Sequence, residues 1–170
     1  GGKLHIPTIS TAKSVELIKE AKKKGLQVSC SVSAHHLTLV DDELQFFDSK
    51  VKVTPPLRTK ADTKALQKGL KDGIIDMITS DHNPIDTEHK KLEFSLSKDG
   101  TIGLESLFGA VNTVLDLETT IKCLTINPRS VFGQDIQSIG TLLITNFGVG
   151  RVICQYARSA DTGCLRRLMP

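Results

Sequence analysis

Strand-like and helix-like runs alternate through the first two thirds of this chain, and no other feature restricts its fold as much. Residues 4–9 read as a short strand, after which Ser10 and Thr11 offer N-cap hydroxyls. Residues 12–24 read as a helix with Val15, Ile18 and Ala21 along one face. Gly25 then stands where a left-handed C-terminal residue belongs. Residues 26–32 are expected to form a second strand. Residues 51–53 are expected to form a third, stopped by Pro55 and Pro56, which cannot continue a ladder. Thr59 and Asp62 resemble a capping box that opens a helix carrying Ala61, Ala65, Leu66 and Leu70. Residues 74–79 read as a fourth strand, apolar on both faces apart from Asp76, and 103–115 and 117–124 as further helices. Strand, helix, strand, helix at this spacing means βαβ units and a parallel sheet.

Composition removes several classes of function. The 170 residues suffice for one ordinary domain. No apolar run approaches the roughly 20 residues of a membrane-spanning helix, and the first residues carry no apolar signal core. A net charge of +3, 4% aromatic residues and no Trp argue against nucleic acid, which needs a basic surface or stacking platforms. The cysteines, Cys30, Cys123, Cys154 and Cys164, include no Cys-x-x-Cys pair, so neither a zinc ribbon nor a redox motif is expected. Scattered thiols in a lysine-rich chain fit a reducing, cytoplasmic setting.

Residues 134–170 differ from the rest. All 16 lysines lie at or before Lys122, whereas four of the six arginines lie at 151, 158, 166 and 167. A separate segment, a fusion, a shifted reading frame or an arginine-bearing extension would each give this pattern. The expected division is therefore 1–133 and a divergent tail, 134–170. Asn146-Phe147-Gly148-Val149-Gly150 has two glycines without a strand-to-helix context, so no phosphate loop is expected there.

In parallel α/β sheets chemistry gathers beyond the C-terminal ends of the strands. Those ends carry Thr8, the pair His35-His36, the run Thr54-Pro55-Pro56-Leu57-Arg58, and Ser80-Asp81-His82-Asn83-Pro84. Imidazole and carboxylate are the ingredients of a zinc-type site. A carboxylate such as Asp81 can also carry a proton. Each feature has a plain structural reading too. A His-His pair is commonly structural, and Asp81 before Asn-Pro could simply cap a turn. Arg58 reads as an anchor for a neighbouring acid and His89 as part of a solvated loop. Lys22-Lys23-Lys24 reads as a solvated helix end suited to the helix dipole. Met77, Phe108 and Cys30 read as core.

Five runs taken together resemble a known family. They are Ile9-Ser10-Thr11-Ala12-Lys13-Ser14, Ser33-Ala34-His35-His36-Leu37, Lys52-Val53-Thr54-Pro55-Pro56-Leu57-Arg58, Thr79-Ser80-Asp81-His82-Asn83-Pro84 and Ile102-Gly103-Leu104-Glu105. In order and spacing they resemble dihydroorotase and, more broadly, the cyclic amidohydrolases. Residues 127–133 resemble the helix that follows the family's barrel.

The resemblance implies the second half of a metal-dependent (β/α)8 TIM-type barrel with a zinc centre. It implies reversible hydrolysis of the ring amide of dihydroorotate in pyrimidine biosynthesis. His35 matches a zinc ligand, and Asp81 matches the aspartate that binds metal and acts as general base and acid. Gly100 and Thr101 match a loop whose backbone contacts substrate. The family's first-strand His-x-His pair and its bridging carboxylate have no counterpart here. Three positions depart from the pattern: Thr8 replaces a ligand His, Thr54 replaces an Asn that holds substrate, and Ile85 replaces a His that contacts the substrate carboxylate. These departures make two other readings available. One is a non-catalytic dihydroorotase-like scaffold for aspartate carbamoyltransferase. The other is a different cyclic amidohydrolase, such as a hydantoinase or allantoinase. A half barrel with open sheet edges is expected to pair with its other half or to form a homodimer.

Overall fold

The computed structural model of the chain describes residues 1–134, 141–147 and 151–157. Three parallel strands, β1 (Leu4–Ile6), β2 (Val28–Ser33) and β3 (Met77–Thr79), lie in the order β1-β2-β3. Leu4 pairs with Val28 and Ser31 with Met77, so each strand advances in step with its neighbour. Helix α1 (Ala12–Lys23) crosses from β1 to β2. The short α2 (Ala34–Thr38) and the longer α3 (Lys60–Lys71) lie between β2 and β3. The fold is thus α/β with a parallel sheet, as the alternation requires.

The expected helix starts form as the sequence suggests. Thr11 accepts from the Ser14 amide at 3.2 Å and caps α1. Thr59 accepts from the Asp62 amide at 3.3 Å and caps α3. The Asp62 carboxylate accepts from the Thr59 hydroxyl at 2.7 Å and, across the structure, from the Ala12 amide at 2.8 Å. Gly25 ends α1 with φ 74°, a conformation that costs a glycine little.

The core lies between the sheet and α1 and α3. Cys30, Val32 and Ile78 from the strands meet Val15 and Ile18 of α1 and Leu66 and Leu70 of α3. Leu66 is 1% exposed, and burying such a side chain contributes about 2–3 kcal/mol. Cys30, Met77 and Phe108 are core residues, as expected. The opposite side of β2 carries Ser29, Ser31 and Ser33, in the two-residue period of a strand.

Several expectations need correction. Residues 51–53 are not a strand. A 3₁₀ turn, Ser49–Val51, takes in the first of them, started by Asp48 accepting from the Lys50 amide, and no ladder follows. The β-branched valines favoured a strand, but this segment is held by its loop. Lys52 Nζ donates to the carbonyls of Phe94 at 2.8 Å and Ser97 at 2.7 Å. The 86–91 stretch is not a plain loop either, because Asp86 caps a one-turn helix, α4 (Thr87–Lys90), and pairs with His89 at 2.7 Å. Lys22 is no solvated helix end: its ammonium meets Asp76 Oδ1 and the Ile74 carbonyl, both at 2.8 Å.

The region expected as two continuous helices is more broken. It comprises α5 (Leu107–Asn112), α6 (Leu117–Ile121), a π-helical turn (Lys122–Ile126) and α7 (Asn127–Val131). In the tail, β4 (Thr141–Phe147) and β5 (Arg151–Ala157) pair antiparallel, with Thr141 opposite Ala157. The glycines at 148 and 150 lie outside the described residues. Among the described residues no helix is long and apolar enough to cross a membrane.

Candidate functional site

The strand ends deliver their polar residues to one region. β2 runs directly into α2, and this junction places His35 and His36 one after the other, 8% and 2% exposed. Their rings lie 4.7 Å apart. His36 is fully engaged. Its Nδ1 faces the Ser33 hydroxyl at 2.5 Å and its Nε2 faces the Pro55 carbonyl at 2.9 Å. A carbonyl can only accept, so Nε2 carries the hydrogen and Nδ1 accepts from Ser33. Burial lowers the pKa of His36, and the ring stays neutral at pH 7.

His35 is held differently. Its Nε2 lies 3.3 Å from Asp81 Oδ2, yet the approach lacks hydrogen-bond geometry, so this buried nitrogen has no hydrogen-bond partner. Burial, together with the neighbouring His36, lowers the His35 pKa to about 4 against the pull of Asp81. At neutral pH a neutral imidazole therefore faces a carboxylate. A buried polar atom without a partner costs about 1–3 kcal/mol, so it is retained against a penalty.

Backbone conformation marks two of these strand ends. Asp81 has φ 46° and Thr8 has φ 50°. For a β-branched residue such as Thr8 the left-handed region is a genuine outlier. The Thr8 amide donates to Ser31 Oγ at 3.2 Å and the Ile9 amide to the Ser31 carbonyl at 2.9 Å, which holds the bend in place.

The other expected site residues divide. Thr101 bridges His82 in parallel fashion and lines a cavity that His35 also lines. Gly100 and Thr54 do not line that cavity. Thr54 is exposed and donates to Asp99 Oδ2 at 2.6 Å. The Gly100 amide donates to the Lys52 carbonyl at 2.9 Å. A Cβ on Gly100 would lie 2.6 Å from the Asn83 carbonyl and 2.9 Å from Ile85 Cγ1, at φ 138°. Glycine is required there, and Ile85 packs on it. Arg58 reaches Ser10 Oγ at 3.5 Å.

Three hydrogen-bonding groups escaped the sequence reading. Ser29, Ser31 and Ser33 engage His5 at 2.8 Å, the Thr8 amide and His36. Their alternation within a strand was the available signal, since polar residues of period two on a buried strand need partners.

Zinc sites built from protein side chains use at least three donors. The described residues bring two together, His35 and Asp81, and contain no group of three or more His, Cys, Asp or Glu that could hold a metal. Taken alone they do not fit a complete zinc site. The orphaned His35 Nε2 beside a carboxylate fits one portion of a donor set.

No protein-family profile matches the chain. A dihydroorotase of Thermoanaerobacter sp. is 42% identical over 139 residues, covering 78% of this chain and 32% of the relative. A dihydroorotase of Pelotomaculum thermopropionicum is 42% identical over 140 residues, with 78% and 33% covered. The chain thus spans about one third of the length of the curated relatives it matches. Among solved structures, an L-hydantoinase (dihydropyrimidinase) of Arthrobacter aurescens superposes with a TM-score of 0.72 at 28% identity, covering 78% of this chain and 32% of that one. The resemblance drawn from the five motifs is borne out, and its structural neighbours are TIM-barrel amidohydrolases.

Proposed function

We infer that this dihydroorotase-like chain carries the second half of a (β/α)8 amidohydrolase barrel, and that the whole protein interconverts dihydroorotate and carbamoyl aspartate in pyrimidine biosynthesis. The observation that carries this reading is the apposition of His35 Nε2 and Asp81 Oδ2 at 3.3 Å, a neutral imidazole with an unused nitrogen beside a carboxylate. Asp81 is the residue that takes and returns the proton at its carboxylate, and His35 and Asp81 are this segment's share of a zinc donor set. Thr54, Gly100 and Thr101 are the substrate-side residues. Residues 1–133 form the barrel portion and 134–170 a divergent tail, in a cytoplasmic protein.

The test begins with metal. Titrating zinc into the whole protein should shift the His35 ring resonances, and Asp81→Asn should weaken that response at least tenfold. A response unchanged by Asp81→Asn would sink the assignment. Turnover of dihydroorotate, hydantoin and allantoin by the whole protein then separates the amidohydrolase chemistries.

One observation favours a second reading. Thr8 holds a strained φ of 50° where the family has a ligand His, and its side chain is a poor zinc donor. A catalytically silent subunit that scaffolds aspartate carbamoyltransferase, alone or as a homodimer, fits that loss. Co-elution with carbamoyltransferase without zinc uptake would identify it.

A further inference from the structure

The proposed chemistry turns on Asp81, yet among the described residues no hydrogen bond fixes its carboxylate. The place of that carboxylate is set by its backbone, which stands at φ 46°. A residue other than glycine keeps such a conformation only where its surroundings hold it. Here the hold comes from the two neighbours of Asp81 in the chain, both of which grip one segment, 101–104.

The two neighbours grip it in different ways. On the N-terminal side, Ser80 abuts Gly103 so closely that a Cβ on Gly103 would collide with the Ser80 carbonyl. On the C-terminal side, the backbone of His82 bridges Thr101, and the Asn83 amide donates to the Thr101 carbonyl at 2.9 Å. The His82 ring adds a third hold. Its Nδ1 accepts from the Gly103 and Leu104 amides, both at 3.3 Å. Neither amide has another acceptor among the described residues. Consecutive amides that converge on one point need an acceptor there, because they can only donate. His82 Nδ1 is thus the bare nitrogen of the ring, and Nε2 carries the hydrogen. Thr101 and Gly103 line the cavity that His35 also lines, so the gripped segment is itself a wall of the site.

We propose that His82 is a positioning residue for Asp81. Its Nδ1 draws the Gly103 and Leu104 amides onto the segment that follows β3, and this clamp sets where the Asp81 carboxylate stands relative to His35. What the carboxylate is positioned for rests on the amidohydrolase reading, whereas the clamp itself does not.

Two substitutions in the whole protein separate the acceptor from the bulk of the ring. His82→Asn places Oδ1 where Nδ1 was, and His82→Gln carries its acceptor one bond further out. Both suit an exposed position, and unchanged melting temperatures show that both variants fold. In His82→Gln, hydrogen exchange at the Gly103 and Leu104 amides should quicken and the His35 ring resonances should shift. Its kcat for dihydroorotate should fall about tenfold at unchanged KM, since displacing a reacting group costs rate more than binding. His82→Asn should retain all three properties. Matching behaviour of the two variants, whether both keep or both lose these properties, overturns the proposal. Exchange that quickens while the His35 resonances stay in place also overturns it, because the clamp would then not reach Asp81. A whole protein that turns over no dihydroorotate fails the reaction reading alone, and exchange and the His35 resonances still decide the clamp.

Discussion

Thr8 is the residue most at odds with its backbone. A β-branched side chain at φ 50° costs about 1–2 kcal/mol, and the single hydrogen bond to Ser31 Oγ belongs to the Thr8 amide, not to its side chain. Asn tolerates the left-handed region far better. Thr8→Asn should therefore stabilise the chain by about 1 kcal/mol, read as a rise in the urea midpoint with unchanged slope. A loss of stability would mean that the Thr8 methyl packs better than its φ suggests. At this scale the site was partly legible. His35 and Asp81 stand out because ionisable residues at strand ends have few structural reasons to be there. The strain at Thr8 was not legible, since φ is set by the pairing of β1 with β2 and by Ser31, 23 residues away.

At the scale of elements, one polar cluster ties together the end of the sheet away from His35 and Asp81. Asp76 accepts from Lys22 Nζ at 2.8 Å and from the Cys30 amide at 2.9 Å, and its carbonyl accepts from Asn127 Nδ2 at 3.0 Å. Helix α1, strand β2, the segment leading into β3 and helix α7 thus meet on one residue. Asp76→Ala should cost about 2–3 kcal/mol in equilibrium unfolding, because it strands a half-buried ammonium and a buried amide. Lys22→Met should cost less, since the Cys30 amide keeps its acceptor. Equal losses would show that the ion pair outweighs the amide bond. The sequence revealed that Asp76 breaks an apolar strand but not why, because its partners lie 46 and 54 residues away. The same limit explains the failed strand at 51–53. Local valines spoke for a strand, and the carbonyls that capture Lys52 come from residues more than 40 positions later.

For the whole molecule, the buried histidines set a pH dependence. His35 falls from 6.5 to about 4 in the folded chain, and His36 is lowered as well. The unfolded chain binds these protons more readily, so acid favours unfolding. Their contribution is intact above pH 6.5 and declines as pH falls toward 4, by about 3 kcal/mol for His35 alone. Urea unfolding in the presence of a chelator, repeated between pH 7.5 and 4.5, should show this decline, and His35→Gln should flatten most of it. A slope unchanged in that variant would place the titration elsewhere.

The alternation of elements was legible across the molecule because hydrophobic period and capping residues are local. The coupling between those elements was not. The Asp62 carboxylate holds the Ala12 amide through Oδ1, 50 residues away along the chain, and the Thr59 hydroxyl through Oδ2. Two helix beginnings thus lean on one side chain, and unwinding of the α3 start would take the acceptor of the Ala12 amide with it. Protection of the Ala12 amide from solvent exchange should therefore follow the stability of the first turn of α3 as well as that of its own helix.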